Sequence, residues 1–167
     1  MPLTLAFLAD THLPTRAKGL PAEVWAAVEA ADVVLHAGDW VEPALLDELS
    51  ERSSRLIACY GNNDGEDLRA RRPLVARAEL GGLRFAVVHE TGQKQGREAR
   101  MAALYPDVDV LVFGHSHIPW DTRAENGLRL LNPGSPTDRR RQPYCTYLTG
   151  VIDAGALEVE LHRLPQR

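Results

Sequence analysis

The sequence predicts an α/β protein built as a four-layer α/β/β/α sandwich, with two mixed β-sheets packed together and helices outside. Three observations lead there. The first half of the chain alternates short apolar runs with segments of helical period, the pattern of parallel strands joined by crossover helices. The second half is punctuated by Gly81-Gly82, Asn126-Gly127 and Asp153-Ala154-Gly155, each lying between two strand-like runs, which marks hairpins and antiparallel pairing. The chain has 167 residues, 44% of them hydrophobic and 25% charged. That is one ordinary domain, residues 1–167, able to bury roughly 70% of its unfolded surface.

The elements follow in order. Leu3 to Ala9 is a short apolar run, as in a strand buried on both faces. Pro21 suits a first helical turn, and Leu20, Val24, Val28 and Ala31 recur at helical spacing. Val33-Val34-Leu35 is a second buried strand, Pro43 opens a second helix with Leu45, Leu46 and Leu49 on one face, and Leu56–Tyr60 is a third strand. Right-handed crossovers make these three strands parallel. Leu74–Leu80 and Leu83–Val88 form a hairpin about Gly81-Gly82. A helix at Gly96–Tyr105 precedes a buried strand, Val108–Phe113. Two further hairpins pair Trp120–Glu125 with Leu128–Leu131 and Tyr144–Ile152 with Leu157–Leu164, with positive φ expected at both Asn126 and Gly127.

Composition excludes several classes of function. A formal charge of −4 argues against a duplex nucleic-acid binder, which would carry a basic surplus, but leaves a small phosphorylated substrate open. No apolar run approaches the roughly 18 residues of a membrane span, and Leu3–Ala9 lacks the basic start of a signal peptide. Cys59 and Cys145 are far apart and in no Cys-x-x-Cys arrangement, so neither a disulfide scaffold nor a thiolate zinc site is indicated. The expected location is cytoplasmic, and the sequence leaves a homo-oligomer open.

The chemistry lies at the strand ends. The first strand is followed by Asp10-Thr11-His12, the second by His36-Ala37-Gly38-Asp39 and the third by Gly61-Asn62-Asn63-Asp64. His89 follows Phe85–Val88, and Gly114-His115-Ser116-His117 follows Val108–Phe113. Open α/β sheets bind ligands at their carboxyl edge, so these clusters converge on one crevice. Any one of them alone reads as a turn or a surface histidine; the ordered set does not. Imidazole and carboxylate without thiolate suit Mn²⁺, Fe²⁺, Zn²⁺ or Ni²⁺ better than Ca²⁺. The candidates outnumber the four ligands of one zinc, and two ions sharing a ligand would use them all. The spacing of Asp10-x-His12 and His115-x-His117 suits extended backbone, in which residues two apart point the same way.

These residues resemble the calcineurin-like metallophosphoesterases, whose pattern runs Asp-x-His, Gly-Asp, Gly-Asn-(His/Cys/Asn)-(Asp/Glu), His, Gly-His-x-His. The short length, the Asn-Asn-Asp variant and Asn132-Pro133-Gly134-Ser135 are similar to the small YfcE-like phosphodiesterase branch. The resemblance implies that Asp10, His12 and His117 bind one metal ion, that Asn62, His89 and His115 bind the other, and that Asp39 bridges them. It further implies a bridging hydroxide attacking a phosphodiester in line, with Asp39 and Asn63 in the catalytic set and Asn62 and Asn63 contacting substrate. The substrate is then a small phosphodiester or nucleotide-like molecule. Two dications with Asp10 and Asp39 leave +2, which one hydroxide and one diester monoanion neutralise.

Two positions depart from the family. Asn63 stands where members that cleave monoesters carry a histidine able to protonate the leaving group, and an amide cannot act as that acid. Glu90 stands where the family has Gly after His89, and its carboxylate is expected to point into solvent. His36 is expected to pack at the strand end, His162 to be a surface residue and Asp64 to orient a neighbour. Trp40 and Trp120 either line the pocket or belong to the core, and Arg139-Arg140-Arg141 either steers phosphate or forms a solvated loop. The alternative function is a non-catalytic scaffold on the same fold, like the retromer subunit. All seven ligand positions are present, which favours the enzyme.

Overall fold

A computed structural model describes residues 1–165; the last two residues of the expected 1–167 domain lie outside the described residues. Ten strands and four helices follow one another as β1 (Leu3–Leu8), α1 (Ala22–Ala30), β2 (Val33–His36), α2 (Pro43–Arg52), β3 (Leu56–Ala58), α3 (Glu66–Arg71), β4 (Val75–Leu80), β5 (Leu83–Val88), α4 (Arg97–Leu104), β6 (Val110–Val112), β7 (Trp120–Arg123), β8 (Arg129–Asn132), β9 (Thr146–Asp153) and β10 (Ala156–Arg163). They form two five-stranded mixed sheets, β10-β9-β1-β2-β3 and β4-β5-β6-β8-β7.

Alternation along the central strands builds three cores. Leu5, Phe7 and Ala9 face the second sheet, where they meet Phe85, Val87, Val112 and Leu131. Ala6 and Leu8 face the other way, onto Val24 and Val28 of α1, Leu45, Leu46 and Leu49 of α2 and Leu68 of α3. Ala86, Leu111, Phe113 and Leu130 pack outward against Met101 of α4. The result is the expected four-layer α/β/β/α sandwich. Strands buried on both faces read as unbroken apolar runs, which is why they were visible in sequence.

Register places the functional loops. The parallel pairs Leu8↔His36 and His36↔Ala58 align the carboxyl ends of β1, β2 and β3. In the second sheet, Val87↔Val112 and Val112↔Leu131 align those of β5, β6 and β8. Gly114 donates its N–H to the His89 carbonyl at 3.1 Å, and Asp10 donates to Gly38 at 2.9 Å, so neighbouring loops are tied just beyond the sheets.

Several local expectations change. α3 has one buried apolar residue, Leu68, too few for a periodic signal; acids in its first turn and arginines in its last match the helix dipole. Among the residues of the Asn126-Gly127 turn, only Gly127 has positive φ. Gly127 N–H bonds to Ala124 and Ala124 N–H to Leu128, a longer turn than a two-residue hairpin. His162 is not a free surface residue: its ring stacks on Tyr147 at 4.6 Å and lies 2.7 Å from Thr149 Oγ1. Among the described residues, no helix is long and apolar enough to cross a membrane.

Candidate metal centre

The loops carrying the site are not extended. Asp10, His12, Asp39, His115 and His117 all have left-handed φ, between +45° and +75°. The expectation that Asp10-x-His12 and His115-x-His117 converge because extended residues alternate is therefore corrected: they converge through left-handed turns. Asp and His visit that region more readily than most residues, yet strained backbone still costs of order 1–3 kcal/mol per residue and clusters at functional sites.

Asp10 and Asp39 lie buried at the centre, ringed by imidazoles. Asp10 Oδ1 is 3.9 Å from His12 Nε2, 3.8 Å from His89 Nε2 and 3.6 Å from His117 Nε2. Asp39 Oδ2 is 3.4 Å from His12 Nε2 and 3.3 Å from His89 Nε2. Possible ligand atoms of Asp10, His12 and His117 lie within 4.8 Å of one another, as do those of Asp10, Asp39 and His89 and those of His89, Glu90 and His115. His115 is half exposed, its Nδ1 3.2 Å from Asn62 Oδ1 and close to the His89 group. Side chains from both sheets thus meet at one place.

The hydrogen bonds behind the rings fix which nitrogen faces inward. His89 Nδ1–H donates to the Ala37 carbonyl at 2.7 Å, and His117 Nδ1–H donates to the Asp138 carbonyl at 2.6 Å. Their Nε2 atoms therefore carry the lone pairs when the rings are neutral. Those Nε2 atoms, with His12 Nε2 and Asp10 Oδ1, are buried and have no hydrogen-bond partner. Four convergent, unsatisfied donor atoms would be costly unless a cation lay among them. The set fits divalent metal ions.

Electrostatics point the same way. Burial, with Asp39 nearby, pushes the Asp10 carboxyl up to about 7 despite the opposing influence of His89. Burial also disfavours charge on Asp39, but the His89 ring facing it at 3.3 Å, with two hydrogen bonds from Asn63, holds that carboxyl well below the usual range. Burial lowers His12, and lowers His117 to about 4, so both favour the neutral form that ligates metals, whereas His89 is raised because Asp39 and Asp10 outweigh its burial.

The surrounding residues separate into supports and rims. Asn63 donates its N–H and side-chain Nδ2 to the two oxygens of Asp39, at 2.9 and 2.8 Å. Asp64 orients the loops, accepting N–H bonds from Asp39, Gly61 and Val41 at 3.0, 2.7 and 2.8 Å. A side chain at Gly61 would strike Asp39 Oδ1 at 2.2 Å, so the close approach of these loops requires glycine. His36 accepts from Gly38 N–H and meets Thr11 Oγ1; burial lowers it to about 3, and it stays neutral. Trp40 stacks on His36 at 3.6 Å and donates to the Cys59 carbonyl, which makes it core. Trp120 lies on the outer side of the second sheet, under Arg97. Glu90 does not simply leave for solvent: its half-exposed carboxylate reaches to 3.6 Å from His115 Nδ1.

Of three supports, the sequence offered Ser135 only within a motif, Arg140 only as a residue that steers phosphate or lies in a solvated loop, and Asp138 not at all. Ser135 donates its hydroxyl to the Asp10 carbonyl at 2.7 Å and accepts from Asp138 N–H at 2.8 Å. The Asp138 carbonyl holds His117, and a backbone acceptor leaves no residue-type signal. Of the arginine run, Arg140 turns back to the site and donates to the His115 carbonyl at 3.2 Å, whereas Arg139 donates to Gln142.

Comparison with known proteins agrees with this geometry. The family model described as a calcineurin-like phosphoesterase superfamily domain matches residues 3–155. A probable metallophosphoesterase of Methanothermobacter thermautotrophicus is 31% identical over 164 residues, covering 96% of this chain and 92% of the relative. A phosphodiesterase of Methanocaldococcus jannaschii is 29% identical over 171 aligned positions, covering 95% and 94%. Vacuolar protein sorting 29 of Cryptosporidium parvum shares the fold, with a TM-score of 0.78 at 16% identity and 99% of each chain covered. This chain belongs to the calcineurin-like phosphoesterase superfamily.

Proposed function

We propose that residues 1–167 form one metallophosphoesterase domain that hydrolyses phosphodiesters with two divalent transition metal ions, drawn from Mn²⁺, Ni²⁺, Fe²⁺ and Zn²⁺. The observation that carries this reading is the convergence of four buried, unpartnered donor atoms, three imidazole nitrogens and one carboxylate oxygen, beside Asp39. Asp10, His12 and His117 hold one ion, and Asn62, His89 and His115 the other. Asp39 would be shared: its Oδ2 lies 3.4 Å from His12 and 3.3 Å from His89, one from each set, closer to both than Asp10 Oδ1 at 3.9 and 3.8 Å. When bound, the ions supply Lewis acidity and a deprotonated water at neutral pH.

The protein's own groups do the rest. The carbonyls of Ala37 and Asp138 keep His89 and His117 in the ligating tautomer. Asn63 clamps Asp39, and its carboxamide presents to substrate a hydrogen-bonding group that is no acid. Arg140, which donates to the His115 carbonyl, adds positive charge at the edge of the centre. The curated relative named a phosphodiesterase supports the diester reading.

Metal content and turnover test it together. Protein metallated with each ion in excess is expected to approach two ions per chain and to cleave bis-aryl phosphate. Asp39→Asn is expected to lower both. A stoichiometry near zero with every ion offered overturns the enzyme reading and leaves the scaffold reading.

A further inference from the structure

Next to the metal centre, on the His89 side, an open recess of about 380 Å³ is bordered by Asn62, His89 and Glu90. Its far wall is not metal chemistry. Tyr60 and Tyr105 supply two phenol rings, and Leu74 and Val75 supply aliphatic surface. Arg69 lies over the Tyr60 ring at 4.8 Å and is itself fixed by donating to the Asp64 carbonyl at 2.8 Å. Arg77 lies over the Tyr105 ring at 5.5 Å. Leu74 is 59% exposed, a large apolar side chain at the mouth.

We propose that this recess is a subsite for a planar aromatic substituent of the phosphodiester, a nucleobase or an aryl group, held against Tyr60, Tyr105 and Leu74 while the phosphate sits at the metal centre. The inference rests on the phosphodiesterase reading and deepens it. Continuity carries it: Asn62 and His89 belong to the centre and to the recess at once, so a group on phosphorus has the recess as its neighbour. The volume is at the small end of ligand sites, which suits a single ring system. Phenol rings with an adjacent guanidinium stack flat π-systems of any sequence or substituent, a sequence-tolerant way to hold a base. An alkyl ester would leave those rings and Leu74 uncovered.

The test uses ligands that need no turnover. On metal-loaded protein, methylphosphonate is compared with benzylphosphonate, and ribose 5-phosphate with adenosine 5′-monophosphate, as competitive inhibitors of bis-aryl phosphate cleavage and by calorimetry. The aromatic member of at least one pair is expected to bind about tenfold tighter. The aryl pair and the nucleotide pair distinguish the two sources of the ring. Tyr60→Ala is expected to cut that preference below threefold, with methylphosphonate binding within twofold of the parent. Leu74→Ser and Tyr105→Leu, which change the mouth and the wall, carry the same test should Tyr60→Ala fail to fold. An aromatic gain under twofold in both pairs, or one that survives all the substitutions, overturns the subsite alone. If the protein takes up no metal and neither methylphosphonate nor ribose 5-phosphate binds, the phosphodiesterase reading falls and the subsite with it.

Discussion

On the proposed phosphodiesterase reading, one side chain, Asn63, selects the substrate class. One N–H of its amide donates to Asp39 Oδ2, and an amide has no proton to give a departing alkoxide. A positioned acid contributes about 10²–10⁴-fold, so good leaving groups should be strongly preferred. Asn63→His restores a group able to protonate, and is expected to raise monoester turnover more than diester turnover. The check is kcat/KM for mono-aryl and bis-aryl phosphate on both proteins at equal metal occupancy; no gain in the histidine variant refutes the argument. Glu90 acts on the same choice through charge. Its carboxylate reaches the His115 edge, so the balance that a diester monoanion neutralises becomes unfavourable by one for that diester and by two for a monoester dianion. Glu90→Gln is therefore expected to tighten inhibition by inorganic phosphate about threefold to tenfold, with metal content unchanged. Loss of bound metal in Glu90→Gln would instead make Glu90 a ligand.

The elements were easier to read than the loops that end them. Phe7, Leu35, Val87 and Val112 announce buried strands because both faces of each strand are covered, and Pro43 announces a helix start because proline fits the first turn. Asp10, His12, Asp39, His115 and His117 announce metal chemistry by type and order. Their left-handed backbone is invisible in sequence, because Asp and His, unlike Gly, do not announce a positive φ. Glu90 and Trp40 needed coordinates for a different reason: a side chain's direction depends on packing outside its own segment. Asn132-Pro133-Gly134-Ser135 is the instructive case, legible as a motif but not as a support. Asn132 Oδ1 accepts from Gly134 N–H at 2.9 Å, Gly134 has φ +72°, and Ser135 then reaches under Asp10. A Cβ at Gly134 would lie 2.1 Å from Thr146 Oγ1, the hydroxyl that ties the turn to β9 through the Pro133 carbonyl. Gly134→Ala is expected to lower stability by about 2 kcal/mol or more and to weaken metal uptake, since the Asp10 loop loses its prop. Chemical denaturation and metal titration on the same variant check both effects, and a loss of stability with metal affinity intact would detach the turn from the centre.

At the scale of the molecule, the proposed metal centre would join two halves that are already joined elsewhere. Asp10, His12, Asp39 and Asn62 leave the first sheet, and His89, His115 and His117 leave the second, while Phe7, Leu35, Phe85 and Val112 pack the two sheets together beneath them. Removing the ions should therefore not unfold the protein, because the apolar core between the sheets remains. It should make the protein less stable, because the buried Asp10 oxygen and three buried imidazole nitrogens return to having no partner. An ion that binds only the folded state at a hundred times its dissociation constant stabilises by about 2.7 kcal/mol. For a domain of this size each kcal/mol moves Tm by about 2–4 °C, so one ion is expected to raise it by about 5–11 °C. Scanning calorimetry of chelated and metal-loaded protein should show one transition in each case, at a temperature rising with the logarithm of free metal. The shift should shrink in Asp39→Asn, which loses the shared carboxylate. The same Tm with chelator and with saturating metal would mean that no ion joins the loops, and the two sheets would then be held together by their apolar core alone.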